Sequence, residues 1–423
     1  MNPYLIFILA VILIGYILDL TISIVNLSSL DPRLPDEFID VLDGERYAQS
    51  QNYTRTTTTF SMIKETATTT LTIAFILIGG FNWVDMLARG FGLNTISTGL
   101  IFTAILLVIV ACLEMPFSIY ATFVIEERFG FNQTTRGTFI LDLAKGIVLT
   151  VVIGGPVLAF VLWFFEKGGS WAWLYCWMGV VAAMMVIQFL APVLIMPLFN
   201  KFTPLEDGEL KETVTNYAAR EKFQIKGIYT MDGSKRSTKL NAFFTGFGRF
   251  RRIVFFDTLV EKLSTGEIVA VLAHEMGHSK LKHIFKMLAA SILQMGILFF
   301  ILSLFINNRG LFAAFQMEHV SIYASLIFFG FLYSPISMLL SVIFNIFSRR
   351  HEFQADRYAL NSTGRPEMLI SALKKLSITN LSNLTPHPLH VFLNYSHPPV
   401  LERIKALGKI EDPPFLRRNR SGI

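Results

Sequence analysis

Seven stretches of the chain stay apolar for long enough to cross a bilayer, which takes about 20 residues of helix. They run over roughly 3–27, 67–88, 98–124, 144–165, 172–195, 285–306 and 322–347. The first has no basic run ahead of it and no small-residue cleavage site before Asp31, so a retained helix is expected, not a removed signal. Two long polar segments, 196–284 and 348–423, interrupt the pattern. Within the first, a helical stretch ends near Arg220. The runs IYTMDG, KLNAFFTGFG and RRIVFFDTLV then read as three strands of a small antiparallel sheet. Ser264 and Glu267 have the spacing of a capping box, predicting a helix from about 265. The second polar segment opens with SRRHEFQADRYALN, a helix continuing the last span. The threonine runs at 56–59 and 68–70 read as loop and helix-start material. The expected organisation is five membrane helices over 1–195, a soluble segment over 196–284, two further spans over 285–347 and a soluble C-terminal segment over 348–423. The fold class is thus mainly α, a polytopic membrane protein with seven transmembrane helices.

Composition agrees. Of 423 residues, 52% are hydrophobic and 16% charged, against roughly a quarter charged in soluble proteins. The net charge of +6 would suit nucleic acid, but its distribution fits a membrane face and argues for no nucleic-acid partner. Segments 28–66, 125–143, 196–284 and 348–423 hold nearly all the Lys and Arg, while the opposite side has Arg89, Lys167 and Arg309. The positive-inside rule places the N-terminus outside and both large polar segments in the cytoplasm. The sequons at Asn52, Asn132, Asn361 and Asn383 all fall on that inner side and read as chance matches. Cys112 and Cys176 both lie in apolar runs, so they build no disulfide framework.

The chemistry concentrates in AVLAHEMGHSKLKH, 270–283. On a helix, His274 and His278 share a face one turn apart and can both reach one Zn²⁺. Glu275 points beside that metal, where a base must stand to take a proton from water. Val269, Leu272 and Ala273 bury the helix, so a chance polar triplet on a surface helix is the weaker explanation. A third ligand is needed, and Glu352 in HEFQAD supplies it, with Asp356 one turn on to hold a ligand imidazole in its tautomer. His351 competes as ligand, but its direction differs from that of Glu352 by about 100°. A bland surface helix, with Glu352 and Asp356 paired to Arg349, Arg350 and Arg357, is the alternative.

Peptide hydrolysis at such a centre also needs an extended substrate held and an oxyanion stabilised. The strand LNAFFTGF is a candidate edge for pairing with substrate main chain, with Asn241 and Ala242 as contact residues; an ordinary core strand is the competing view. In NYSHPPVLERI a His-Pro-Pro turn leads into a helix that lets His397 and Arg403 converge, although proline-led helix starts with a lone His are usually structural.

LAHEMGH, RRHEFQADRYA, KLNAFFTGFG, SHPPVLERI, VIEERFGFNQTT at 124–135 and PLFNKFTPLEDGEL at 197–210, taken together, resemble the type I CAAX prenyl protease family. These are integral-membrane zinc endopeptidases that include the yeast a-factor-converting enzyme. The resemblance implies seven helices around a large intramembrane chamber, capped by a cytoplasmic zinc-metalloprotease domain with one Zn²⁺ per chain. It implies His274, His278 and Glu352 as ligands, Glu275 as catalytic base, Asp356 behind them, and His397 and Arg403 at the scissile bond. The implied partners are membrane lipids and a peptide or protein with a C-terminal CAAX-like sequence, prenylated in the family, from which the last three residues are released. The implied membrane is the endoplasmic reticulum or inner nuclear membrane in a eukaryote and the inner membrane in a bacterium. RRNRSGI shows no clear dilysine-type retrieval signal, and the connection 307–321 and the tail after 405 are short, features that suit a bacterial relative. Two other functions stand beside this one: a general membrane-protein quality-control metalloprotease with the same site, and a multi-span transporter with a structural zinc. The transporter predicts charged or broken segments in mid-span.

Overall fold

The computed structural model describes residues 2–245 and 251–409. In chain order it has α1 (Pro3–Ser28), α2 (Gly44–Leu77), α3 (Gly80–Arg89), α4 (Thr95–Glu126), α5 (Arg136–Lys167) and α6 (Gly169–Phe199). There follow β1 (Phe202–Pro204), α7 (Glu209–Arg220), β2 (Gly227–Met231), β3 (Ala242–Thr245), β4 (Arg252–Phe256), α8 (Asp257–Lys262) and α9 (Thr265–Lys280). The chain closes with α10 (His283–Phe305), α11 (Arg309–Ala314), α12 (Ile322–Thr363), α13 (Pro366–Thr379), α14 (Pro388–Asn394) and α15 (Val400–Gly408).

Among the described residues six helices are long and apolar enough to cross a membrane: α1, α4, α5, α6, α10 and α12. The seventh expected span, 67–88, is not one straight helix. α2 and α3 meet at a 66° bend, because Gly79 adopts a left-handed φ of 73° and a side chain on Gly80 would strike the Phe75 ring. α2 also begins at Gly44, so both threonine runs lie inside it. Their hydroxyls bond back to carbonyls four residues earlier, as Thr57 does to Tyr53 and Thr70 to Thr66, which lets polar residues continue a helix. Ile14, Ile17, Val108, Val151 and Val152 stand exposed on the long helices, as a lipid-facing surface requires.

The sheet has four strands, ordered β1-β2-β4-β3, and is mixed where an antiparallel one was expected. β1 pairs antiparallel with β2, and β3 with β4, but β2 and β4 run parallel. The cause lies in residues 232–240, which leave the sheet to bond with membrane helices and return on the far side of β4. Arg236 donates to both carboxylate oxygens of Asp142 at 2.7 and 2.9 Å, to Asn200 Oδ1 and to the Phe199 carbonyl. Lys239 pairs with Glu126 at 2.9 Å and lies over the Phe131 ring. β3 therefore ends as the edge of the sheet, and the last residues of the LNAFFTGF stretch, 246–247, lie outside the described residues.

The soluble core packs α7, α9, α13 and the inner sheet face around Val214, Ile253, Phe255, Leu259, Leu272 and Met276. α9 starts where the capping box places it: Ser264 N–H donates to Glu267 Oε2 at 2.7 Å and Glu267 N–H to Ser264 Oγ at 3.4 Å. The Glu267 carboxylate also accepts from Ser371 and Lys375 of α13, at 2.6 and 2.8 Å. Burial acts to raise its pKa, but these bonds outweigh it and hold the carboxyl below the usual range. The helix that carries the histidines is thus fixed at its start to a second helix of the soluble core.

Candidate metal centre

α9 and α12 cross so closely that a Cβ on Gly277 would stand 3.0 Å from the Ala355 Cα and 3.1 Å from the Tyr358 Cβ. A larger residue at 277 would press the two helices apart, and their close approach brings Glu352 onto the two histidines. His274, His278 and Glu352 form a cluster whose potential ligand atoms all lie within 4.8 Å of one another. His274 Nε2 is 3.2 Å from His278 Nε2 and 3.4 Å from Glu352 Oε2, and His278 Nε2 is 3.3 Å from Glu352 Oε1. Donors about 2.0–2.1 Å from a tetrahedral Zn²⁺ stand about 3.3 Å apart, so the three fit one such cation. Glu352 Oε2 is buried without a hydrogen-bond partner, as a carboxylate oxygen aimed at a metal would be.

Asp356, the residue expected behind the ligands, meets His274 Nδ1 at 2.8 Å and leaves Nε2 free for the centre. The arginines of the surface-helix alternative do not hold it. Arg403 does, donating through Nε and Nη2 at 2.8 and 2.6 Å, while Arg349 donates to the carbonyls of Val391 and Tyr395. Burial and the Arg403 guanidinium push the His274 imidazole toward neutrality, but Asp356 and Glu352 prevail and hold its pKa up at about 9. This pocket favours positive charge.

The Pro399 turn starts α15 and brings His397 and Arg403 together on Glu352: His397 Nε2 is 3.3 Å from Oε1, and Arg403 Nη1 is 3.3 Å from Oε2. They differ in access. The His397 side chain is 65% exposed and the Arg403 side chain 11%. A cavity of about 680 Å³ is lined by Glu275, Asn241, Ala242, His397, Arg403 and the ligand cluster, and reaches Met287 and Ser291 on α10. Glu275 is half-buried at its wall.

His351 does not join the cluster of His274, His278 and Glu352. It stacks on His283, ring centroids 3.9 Å apart and planes 10° from parallel. His283 and Gln354 escaped the sequence reading, although both contact this shell: His283 Nδ1 lies 3.3 Å from His278 Nδ1, and His283 Nε2 lies 2.9 Å from Gln354 Oε1. The signal was present as the last residue of HEMGHSKLKH, five beyond His278. An unbroken helix would aim it elsewhere, but Lys282 turns left-handed at φ 58° and swings it back.

A two-histidine, one-carboxylate cluster on a soluble cap over six or seven apolar helices defines a class, the integral-membrane metallopeptidase. The comparisons agree. Residues 23–201 match the model described as CAAX prenyl protease N-terminal, five membrane helices, and residues 204–411 match Peptidase family M48. The chain is 37% identical over 414 residues to CAAX prenyl protease 1 homolog of Oryza sativa subsp. japonica, covering 96% of this chain and 97% of the relative. It is 34% identical to CAAX prenyl protease 1 of Saccharomyces cerevisiae, covering 90% of each. The crystal structure of S. mikatae Ste24p superposes with a TM-score of 0.92 at 33% identity, over 96% of this chain and 99% of that one. The chain belongs to the CAAX prenyl protease 1 family.

Proposed function

We propose that this chain is a zinc endopeptidase that cuts the C-terminal tripeptide from prenylated CAAX-type peptides at the cytoplasmic face of its membrane. The observation that carries the reading is the cluster of two imidazole Nε2 atoms 3.2 Å apart, each 3.3–3.4 Å from one oxygen of the Glu352 carboxylate, set in the wall of a cavity that Glu275 and the edge strand also line. His274, His278 and Glu352 would hold one Zn²⁺. When bound, the ion polarises the scissile carbonyl and acidifies water. Glu275 takes the proton of the attacking water and hands it to the leaving amine. His397, the more open of the two side chains, donates to the developing oxyanion, while Arg403 adds positive charge as it holds Asp356 and Glu352. Asn241 and Ala242 open an edge whose free side pairs with an extended peptide. The endoplasmic reticulum or inner nuclear membrane is the location in a eukaryote, the inner membrane in a bacterium. The curated relatives are named for CAAX prenyl proteolysis, which supports the substrate class.

The test is purified protein given a farnesylated CAAX peptide and its unmodified twin. Preferential release of the tripeptide from the farnesylated peptide is expected. Equal cutting of both removes the prenyl dependence and leaves a broader membrane metallopeptidase.

A further inference from the structure

We propose that His283 is a positioning residue that sets the tautomer of His278, through a proton chain ending on Gln354. The proposal rests on the metallopeptidase reading above. The two ligand imidazoles are supported differently. His274 gives its Nδ1 proton to a carboxylate, Asp356, at 2.8 Å. His278 turns Nε2 toward Glu352 and His274, so its proton must sit on Nδ1 if Nε2 is to offer a lone pair. The group facing that Nδ1 is the Nδ1 of His283, at 3.3 Å. For that nitrogen to accept, the His283 proton must occupy Nε2, where Gln354 Oε1 receives it at 2.9 Å.

Each proton then has an acceptor, and each of the two imidazoles is confined to one tautomer. His278 is thus backed through His283 by the Gln354 amide, and His274 by the Asp356 carboxylate, so one carboxylate stands behind the two imidazoles. Outer partners of ligand histidines fix ring orientation, and their loss typically weakens metal binding by about 10–100-fold.

Two features show how the fold places His283. Lys282 holds a left-handed φ of 58°, a conformation that disfavours a residue with a Cβ, and it redirects the chain so that His283 opens α10 facing back onto α9. His283 is 2% exposed, and the parallel His351 ring behind it fixes its plane. α12 thus serves the centre three times within five residues: Glu352 directly, Gln354 through His283, and Asp356 through His274.

The test uses full-length protein in detergent, loaded with zinc and titrated with a competing chelator. Integrity is checked by gel filtration and far-UV circular dichroism. His283→Leu is expected to raise the zinc dissociation constant about 10–100-fold. His283→Asn, whose Oδ1 can accept from His278, is expected to restore most of the affinity. Gln354→Leu frees the His283 proton to move to Nδ1 and should also weaken binding. Wild-type affinity in His283→Leu overturns the proposal, as does an Asn variant as weak as the Leu one, which would mean packing alone. If His283→Leu aggregates, Gln354→Leu decides, and wild-type affinity there overturns the relay. A wild-type chain that retains no stoichiometric zinc would instead sink the metallopeptidase reading itself.

Discussion

Glu275 and His278 sit three positions apart on one helix with separate tasks, and substitutions separate them. Glu275→Gln keeps the shape of the side chain and leaves His274, His278 and Glu352 in place. It is expected to retain zinc by metal analysis while cleavage falls by at least about 10²-fold, the lower range for losing a general base. His274→Ala and Glu352→Ala should lower bound zinc and activity together, because each removes one member of the cluster. His351→Phe preserves the ring that stacks on His283 and should keep both zinc and activity near the wild-type level. That outcome follows from its position outside the ligand set. At this scale much was legible, since a four-residue spacing on a helix dictates geometry locally. His283 was not, because its role depends on one left-handed residue that no periodicity reveals.

Helices and strands show the same division. The HExxH helix, the extension of α12 past the membrane and the Pro-led start of α15 all follow from caps, periodicity and the absence of breakers. Where expectation failed, partners distant in sequence decided the outcome. The parallel pairing of β2 with β4 comes from the excursion to the membrane helices, and at the α2–α3 break Gln316 packs against Gly79 and donates to the Leu77 carbonyl. The start of α9 offers a stability test. Glu267 has its carboxyl pKa held below the usual range, so its stabilisation is full above the unfolded value of about 4.3 and is lost as pH falls through the folded one. Glu267→Ala should cost about 1.5–3 kcal/mol at pH 7, the scale of hydrogen bonds to a charged group. Thermal denaturation should show the gap to wild type narrowing below about pH 4.

For the molecule as a whole, the question is how a soluble cap is held in register with a bundle whose outer faces meet lipid. Two cations carry much of that junction among the described residues. Arg236 grips Asp142 of α5 and the end of α6, and Lys239 grips Glu126 of α4 and Tyr53 of α2. Both belong to the stretch that leads directly into Asn241 and Ala242, so the edge strand is indexed to the membrane helices and not only to its own sheet. Sequence could not reveal this, since Arg236 and Asp142 are 94 positions apart. Removing the Arg236 clamp should leave the ligand cluster intact, because α9 and α12 are joined independently through Gly277. It should instead loosen the edge strand proposed to pair with substrate. Arg236→Met is therefore expected to keep stoichiometric zinc, lose about 1–2 kcal/mol of stability for a largely buried bidentate pair, and raise KM for a CAAX peptide more than it lowers kcat. Arg236→Lys should recover only part of that, since a point charge cannot reproduce the planar fork on Asp142. Asp142→Asn should mimic Arg236→Met, and the double variant should be scarcely worse than either single one. Fully additive losses in that cycle would show that the two side chains act separately and that the cap takes its register from elsewhere.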